Sequence, residues 1–274
     1  MSIYLAGSAP DEARQRGQDG PALLPGLECL VARADHSVRH ANPRRGYLEN
    51  PLSPRSMMTI NRDLFGPVSL AHTESIAEGA MLLRGRALHV GAPLLSALDE
   101  VTRAAPLRHM LTPRGFRMSV GMTNCGDLGW VADRRGYRYT AIDPLSDRPW
   151  PALPEVFRTL AGEAAAAAGY AGFAPDACLV NRYAPGSRLS LHQDKNERDF
   201  AQPIVSVSLG LPAVFLFGGL QRGDRTLRVP LAHGDVVVWG GPARLRYHGV
   251  APLEDGVHEA TGGYRITLTL RRAG

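Results

Sequence analysis

The chain has very little lysine and cysteine. Lys195 is its single lysine, so arginine carries nearly all of the positive charge in the 274 residues. The formal net charge of +5 allows a polyanionic partner without requiring one. Cys29, Cys125 and Cys178 lie far apart and form no C-x-x-C pair. This spacing argues against a disulfide framework or a structural zinc site and predicts reduced thiols in a cytoplasmic protein.

The chain also lacks a long hydrophobic run. No uninterrupted apolar segment approaches the roughly 20 residues that cross a membrane. The N-terminus has no basic segment followed by an apolar one, which is the pattern of an export signal. These absences predict a protein that neither spans a membrane nor is exported. The hydrophobic content of 44% and the charged content of 21% are typical of a globular protein with a sizeable core.

The first 57 residues differ in composition from the rest of the chain. They are rich in Pro, Gly, Arg and Asp, and only the stretch "LECLVA" offers apolar side chains for burial. Such a composition cannot bury enough apolar surface to offset the entropy lost on ordering. We therefore expect a disordered N-terminal extension over residues 1–57 and one folded domain over residues 58–274.

The folded part begins with helical patterns and continues with strands. Apolar residues at helical spacing predict helices in "APLLSALDEVTR" and "PEVFRTLAGEAAAAAGY". After Tyr170, short strands follow one another between Gly, Pro and Asp turns, which predicts a mainly β, α+β protein with a barrel or a double-sheet jelly roll. The predicted strands are "ACLVNRY", "PIVSVSLG", "AVFLFGG", "TLRVPL", "DVVVWGG", "RLRYHGV" and "YRITLTLRR". The earlier segments "FRMSVGMTN" and "YRYTAID" are interpreted either as further strands or as a lid.

The motif His192-x-Asp194 raises the question of a metal site. Side chains two residues apart on a strand point to the same side, although an isolated H-x-D often occurs by chance. A second histidine would complete the two-histidine, one-carboxylate set of non-haem Fe(II) oxygenases. His233 precedes Gly234-Asp235 and is interpreted as a turn residue, whereas His258 lies in a loop-like stretch. His248 ends the predicted strand "RLRYH", and we predict it as the third ligand.

The last predicted strand has an unusual polar face. Arg265, Thr267, Thr269 and Arg271 alternate with apolar residues, so they share one side of the strand. Buried arginines are costly unless they meet anions, and a guanidinium binds a carboxylate through two hydrogen bonds. A ligand with two carboxylates, such as 2-oxoglutarate, would satisfy both. The alternative, that the arginines pair with acidic residues across the sheet, is equally compatible with the spacing.

Several motifs together resemble the bacterial AlkB family of oxidative demethylases. These motifs, which occur in order from about Asp63 to the C-terminus, are "MTNCGDLGW", "RRGYRYTAIDP", "PDACLVNRYAPGSRLSLHQDK", "PIVSVSLGLPAVFLFGGL", "HGDVVVWGG", "RYHGV" and "LTLRRAG". The resemblance implies a double-stranded β-helix, a cupin-like jelly roll, that uses Fe(II), 2-oxoglutarate and O₂. It also implies removal of N-alkyl groups from bases such as 1-methyladenine and 3-methylcytosine, with release of formaldehyde and succinate. Single-stranded DNA is the favoured partner that it implies, with RNA as a further one.

The resemblance also implies roles for individual residues. It assigns iron to His192, Asp194 and His248. It assigns 2-oxoglutarate to Asn181, Tyr183, Arg265 and Arg271, with Thr267 where the family has an amide side chain. Within a nucleotide-recognition lid, Trp130 is expected to stack on the flipped base and Tyr137 to hold the backbone. Further expected substrate contacts are Thr112, Met122, Ser206, Arg222 and Asn196, and the last of these stands where the family prototype has an acidic residue.

Other interpretations of the same residues stay open at this point. The core could hydroxylate a small molecule or a protein side chain, or the protein could be a cupin-like binding module without a metal. The lid residues argue against the first alternative, and the complete set of His192, Asp194, His248 and the two arginines argues against the second. We further expect a monomer.

The composition of the N-terminus gives a testable prediction. We expect a chain that begins at Met58 to fold and to demethylate like the full chain, because residues 1–57 contribute too little apolar surface to a core. Thermal unfolding and formaldehyde release from a methylated oligonucleotide compare the two proteins. Lost activity on truncation, together with a native mass that includes residues 1–57, would contradict the prediction.

Overall fold

The structure, a computed structural model, describes residues 72–274. Two antiparallel sheets face each other, and the longer one has seven strands. In spatial order these strands are β1 (Thr73–Ala77), β2 (Ala80–Leu83), β13 (Val236–Trp239), β10 (Ile204–Gly210), β15 (Arg265–Arg271), β8 (Ala177–Tyr183) and β3 (Gly121–Gly126). The predicted extension over residues 1–57 lies outside the described residues.

The shorter sheet has four strands. In spatial order they are β12 (Leu227–Leu231), β11 (Ala213–Phe217), β14 (His248–Val250) and β9 (Leu189–His192). Two hairpins lie beside the sheets, namely β4 (Gly129–Asp133) with β5 (Gly136–Thr140), and β6 (Ile142–Asp143) with β7 (Arg148–Pro149). We call the first of them, residues 129–140, the lid hairpin. The two facing sheets are the jelly-roll core that the sequence predicts.

Two helices cover the outer face of the seven-stranded sheet. They are α1 (Gly91–Ala104) and α2 (Glu155–Ala167), at the two predicted positions. Leu94, Leu98 and Val101 share one side of α1, and all three are buried, as the spacing of three and four residues requires. Together with the alanines of α2, they pack on the strand residues that point outward, such as Val207 and Leu268.

The space between the sheets is apolar at its ends and polar in the middle. Trp239, Phe215 and Phe217 form an apolar cluster at one end, and Met122 and Tyr183 belong to another. Between these clusters, β15 turns its alternate side chains inward. The polar face predicted for β15 therefore looks into the sandwich, while its apolar face packs against the helices. The polar face of β15 therefore places the functional site between the two sheets.

The predicted strand "RLRYHGV" needs a correction. Only His248–Val250 form a strand, and His248 begins it instead of ending it. The preceding residues turn, since a 3-10 helix spans Gly241–Ala243 and the Arg246 amide donates to the Ala243 carbonyl at 3.0 Å. The alternation of "RLRY" is therefore a turn pattern that resembles a strand. Of the two segments left open between strand and lid, "FRMSVGMTN" contributes most of β3, and "YRYTAID" contributes most of β5 and all of β6.

Cys125 and Cys178 are free, buried thiols on paired strands. Burial, with the neighbouring Cys125, raises the pKa of the Cys178 thiol well above its ordinary value, so it stays protonated and unreactive. This agrees with the expected reduced thiols, while Cys29 lies outside the described residues. Among residues 72–274, no helix is both long and apolar enough to cross a membrane.

Candidate active site

One large cavity of about 900 Å³ opens between the two sheets and beneath the lid hairpin. It collects every site residue that the sequence predicts, although these residues come from many separate elements. The lining includes Thr112, Met122, Trp130, Tyr137, Asn181, Tyr183, His192, Asp194, Asn196, Ser206, Arg222, His248, Arg265, Thr267 and Arg271. We call it the central cavity.

Three predicted metal ligands converge on the floor of the central cavity. His192 ends β9 and His248 begins β14, and the two residues are direct partners in the antiparallel pairing. Their ring centroids are 4.5 Å apart. Asp194 follows two residues after β9 and brings a carboxylate between them. The candidate ligand atoms of the three residues all lie within 4.8 Å of one another.

Backbone carbonyls fix the orientation of both imidazoles. Nδ1 of His192 lies 2.8 Å from the Ser190 carbonyl, and Nδ1 of His248 lies 3.0 Å from the Arg246 carbonyl. A carbonyl oxygen can only accept, so each Nδ1 carries a proton. Each Nε2 lies 3.7 Å from an oxygen of the Asp194 carboxylate. Hydrogen bonds of this kind hold metal-binding histidines in place. The donor set of two imidazoles and one carboxylate fits Fe(II).

The charge states also suit metal binding. Burial, with His248 as its neighbour, lowers the pKa of His192 to about 4, so His192 is neutral at pH 7. Burial alone would raise the pKa of Asp194, but Arg271 and then His248 hold it well below its ordinary value. Asp194 is thus a carboxylate beside the neutral imidazole of His192.

Gly249 lets the two histidine strands approach each other. A β-carbon at this position would lie 2.5 Å from the Leu189 carbonyl oxygen of β9, which is closer than atoms can pack. The register of β9 and β14 also shifts between His248 and Val250. A side chain at Gly249 would separate the strands that carry two of the candidate ligands.

Within the part of the chain that the structure describes, Arg265 is a buried cation without a counter-ion. It is 1% exposed, and its guanidinium donates to the Ser208 hydroxyl at 2.8 Å and the Leu211 carbonyl at 3.3 Å. Its Nε has no partner, and no carboxylate among residues 72–274 forms an ion pair with it. Burial lowers its pKa to about 10. Such a site favours an anionic ligand, and the distal carboxylate of 2-oxoglutarate fits it.

Arg271 has a different environment. Its Nε lies 2.9 Å from Asp194 Oδ2 and 3.4 Å from Glu197 Oε1. Burial would lower the pKa of Arg271, but Asp194 and then Tyr139 and Glu197 raise it above its ordinary value. The alternative from sequence, pairing with acidic residues, therefore applies to Arg271 and not to Arg265.

The other predicted co-substrate residues lie beside these arginines. Asn181 donates from Nδ2 to the Thr267 hydroxyl at 3.3 Å, while its Oδ1 is buried without a partner among the described residues. Burial raises the pKa of Tyr183 to about 12, so its phenol remains a hydrogen-bond donor. Together with Arg265, these groups present donors to a bound anion.

The lid hairpin carries the two predicted aromatic residues. The rings of Trp130 and Tyr137 stack with centroids 5.5 Å apart. Trp130 Nε1 donates to Asn196 Oδ1 at 3.1 Å, so the residue that departs from the family prototype contacts the lid. Tyr137 is 45% exposed at the mouth of the cavity.

The less specific predictions fall on the walls of the central cavity. Met122 and Ser206 lie on strands of the seven-stranded sheet. The Thr112 hydroxyl accepts a hydrogen bond from the Phe116 amide at 3.1 Å. The Arg222 guanidinium lies 5.9 Å from the centroid of the Tyr247 ring, which keeps it at the rim.

His233 lies in the turn between β12 and β13, as predicted. Its Nδ1 accepts from the Gly210 amide at 2.9 Å, and its ring stacks on His258 at 4.6 Å. Neither residue lines the central cavity. His248 is therefore the histidine that stands with His192 and Asp194.

The sequence analysis missed several residues of the site. Trp239 packs against His248 with ring centroids 4.9 Å apart, and Phe116, Arg117, Arg188 and Lys195 line the cavity mouth. Tyr139, Glu197 and Arg244 form a buried polar group next to Asp194. The alternation of "YRY" could have indicated Tyr139, since it shares a strand face with Tyr137. No local pattern marks Glu197 or Arg244.

Comparisons with known proteins agree with this geometry. The profile of the 2OG-Fe(II) oxygenase superfamily matches residues 92–271. Alpha-ketoglutarate-dependent dioxygenase AlkB of Salmonella typhimurium is 58% identical over 200 residues, which cover 73% of this chain and 93% of that protein. Human "Nucleic acid dioxygenase ALKBH1" is 33% identical over 123 residues, or 45% of this chain and 31% of that protein. The solved structure of OsALKBH1 superimposes with a TM-score of 0.65 at 26% identity, and covers 73% of this chain and 100% of that one.

The contrast between the two arginines gives a prediction. Arg265→Ala and Arg271→Ala should each raise the 2-oxoglutarate concentration needed for half-maximal turnover, because a charge-assisted contact contributes about 1.5–3 kcal/mol, or roughly tenfold to a hundredfold in affinity. Of these two variants, only Arg271→Ala should also raise the Fe(II) requirement, because Arg271 pairs with the Asp194 carboxylate and Arg265 does not. Arg84→Ala, which removes a distant arginine paired with Glu74 and Asp235, is the control. An unchanged 2-oxoglutarate requirement with a lowered melting temperature would mean that both arginines are structural.

Proposed function

Since the chain belongs to the AlkB family of the 2OG-Fe(II) oxygenase superfamily, we propose that it is an oxidative demethylase of alkylated nucleic acid. It takes N-alkyl groups of the 1-methyladenine and 3-methylcytosine type from damaged DNA, and RNA is a further substrate. The names of its relatives support a nucleic-acid substrate, because they include a nucleic acid dioxygenase and a tRNA demethylase.

One observation carries the proposal. A single cavity combines a two-histidine, one-carboxylate set, an uncompensated buried arginine and an aromatic hairpin at its mouth. The first fits the metal, the second fits the anionic co-substrate, and the third fits a flat, unstacked base. A hydroxylase of small aliphatic substrates would not need the aromatic hairpin. A metal-free binding module would not need the set of two histidines and one carboxylate.

The chain's own residues have separable roles. His192, Asp194 and His248 would hold Fe(II). Arg265, Asn181 and Tyr183 would hold 2-oxoglutarate together with Arg271, which also pairs with Asp194. When bound, iron, 2-oxoglutarate and O₂ supply the oxidation that converts an N-methyl group into a hydroxymethyl group, which is then lost as formaldehyde. The remaining task of the protein is to orient the base and to exclude water.

Placing the base in the central cavity requires that it leave its stack. A methyl group on the Watson–Crick edge is inaccessible within a duplex, so the base must be flipped or the strand must be single. Stacking on Trp130 or His192 would return about 1–3 kcal/mol per base. The free-energy cost of taking the base out of its stack is lower for a single strand than for a duplex, which supports single-stranded DNA as the favoured substrate.

The arginines at the cavity mouth, Arg117, Arg188 and Arg222, suit phosphate contacts, so affinity for nucleic acid should fall as the salt concentration rises. Cytoplasmic location and a monomeric state stay predictions.

The metal ligands provide the direct test. Replacing His192, Asp194 or His248 by Ala should abolish formaldehyde and succinate release from a methylated oligonucleotide, because each change removes a metal ligand without removing core volume. The melting temperature should stay close to that of the wild type, and the bound iron, measured by elemental analysis, should fall. His233→Ala is the matched control and should keep both iron and activity. Near-normal demethylation by His248→Ala would show that the third ligand is wrong.

Asn196 predicts a weak preference for charged lesions. A carboxylate here would attract a cationic methylated base, whereas the amide carries no charge. Because water screens the exposed site, the difference should be about 1 kcal/mol, or about fivefold in kcat/KM. Asn196→Asp should therefore raise the ratio of activity on 1-methyladenine and 3-methylcytosine to that on 1-methylguanine and 3-methylthymine.

The experiment uses four single-stranded oligonucleotides that differ only in the methylated base, at one salt concentration. Ser96→Asp, which adds the same charge on an exposed position of α1, controls for the general effect of charge on binding. An unchanged ratio in Asn196→Asp would mean that this side chain does not sense the base. A lower ratio would mean that the amide itself selects the cation.

A further inference from the structure

A buried carboxylate that the proposed chemistry does not use lies next to the metal site. Glu197 stands three residues after Asp194, and its side chain is 2% exposed. It belongs to the loop of residues 193–200 that follows β9, which we call the Asp194 loop. Taking a carboxylate out of water is costly unless it meets charged or hydrogen-bonding partners. The partners of Glu197 therefore indicate why it is there.

Both oxygens of Glu197 have partners. Oε1 accepts a hydrogen bond from the Tyr139 phenol at 2.7 Å and lies 3.4 Å from Arg271 Nε. Oε2 accepts from Arg244 Nη2 at 3.1 Å. The side chain of Arg244 is also buried, at 3% exposure. Glu197 thus connects three groups that are distant from one another in the sequence.

The same two arginines hold Asp194. Arg271 pairs with its carboxylate through Nε at 2.9 Å, and Arg244 Nη1 donates to its backbone carbonyl at 2.8 Å. Two acidic and two basic side chains therefore alternate, and their charges balance. The position of the Asp194 carboxylate, a candidate metal ligand, depends on arginines that Glu197 orients.

The third partner of Glu197 belongs to the lid hairpin. Tyr139 lies on β5, directly opposite Trp130 on β4. Trp130 in turn donates to Asn196, the residue before Glu197. Burial, together with the nearby carboxylates, raises the pKa of Tyr139 well above its ordinary value, so its phenol keeps the proton that it donates. Two neighbouring residues of the Asp194 loop therefore anchor a cross-strand pair of the lid hairpin.

We propose that Glu197 is a positioning residue that couples the lid hairpin to the metal-binding carboxylate, through Tyr139 on one side and Arg271 and Arg244 on the other. Filling the metal and co-substrate sites fixes Asp194 and Arg271, and through Glu197 this stabilises the hairpin that covers the base. By thermodynamic reciprocity, a hairpin held closed by substrate stabilises the metal site. The assignment of the metal and of the base to this cavity rests on the proposed function.

Hydrogen exchange tests the coupling without any turnover. In the wild type, Mn(II) with 2-oxoglutarate should slow amide exchange over residues 129–140 by about tenfold, a coupling of about 1.4 kcal/mol. In Glu197→Gln and in Tyr139→Phe this slowing should fall below about twofold. Tyr139→Phe removes one hydroxyl and leaves the Glu197–arginine contacts in place, so it decides the question if Glu197→Gln fails to fold.

Two controls separate coupling from a general loss of stability. Tyr170→Phe removes a single hydroxyl, which donates to the Gly79 carbonyl at 2.9 Å. Asp235→Asn neutralises a buried acid that pairs with Arg84. Neither residue lines the central cavity. Both variants should keep the ligand-dependent slowing, even where the melting temperature falls.

A second measurement uses the balance of products. With a methylated oligonucleotide, the ratio of formaldehyde to succinate should fall about threefold or more in Tyr139→Phe, because ligand binding at the metal site would no longer stabilise the lid hairpin. The 2-oxoglutarate KM should change by less than about twofold. A wild-type slowing that persists in both variants, or a lost slowing with an unchanged ratio, would overturn the coupling. If the wild type releases no formaldehyde from methylated oligonucleotides, the proposed function fails, and the exchange measurement still decides the role of Glu197.

Discussion

The ion pair between Arg271 and Asp194 joins the two sheets at the point where the chemistry is proposed. Arg271 ends β15 in the seven-stranded sheet, and Asp194 follows β9 in the four-stranded one. A pair of opposite charges in a desolvated space is strongly directional, so it fixes the separation and orientation of the loop relative to the strand. This contact determines the position of the candidate metal ligands and keeps Asp194 ionised. It also supports the loop against which the lid hairpin packs.

Along β15, the same strand face serves two different electrostatic purposes. Arg271 is neutralised within the protein by two carboxylates, whereas Arg265, six residues earlier, has none among the described residues. One buried guanidinium thus has no carboxylate partner among the described residues and would suit an anionic ligand, whereas the other pairs with Asp194 and Glu197. Because Arg265 is uncompensated, its burial destabilises the ligand-free protein, and binding of an anion would relieve that cost.

Much of the site is visible in the sequence because strand periodicity is a local property. The alternation of β15 predicts which side chains face inward, and the spacing of His192 and Asp194 predicts a shared direction. The position of His248 beside His192 and Asp194 was predicted although the strand around it was wrong, because "RLRY" alternates in a turn as it would in a strand. Glu197 and Arg244 could not be found in this way. Their significance arises from contacts between elements about 50 residues apart in the chain, and no local pattern encodes such contacts.

The direct pairing of His192 with His248 across two strands has a consequence for folding. Side chains alternate between the faces of a strand, so a slip of β9 against β14 by a single residue would send one imidazole to the opposite face. Such a misregistered chain would keep most of its backbone hydrogen bonds and much of its core, yet it would bind metal poorly. A ligand that binds only the native arrangement stabilises it by mass action. Metal binding during folding would therefore favour chains with the correct strand register over misregistered ones.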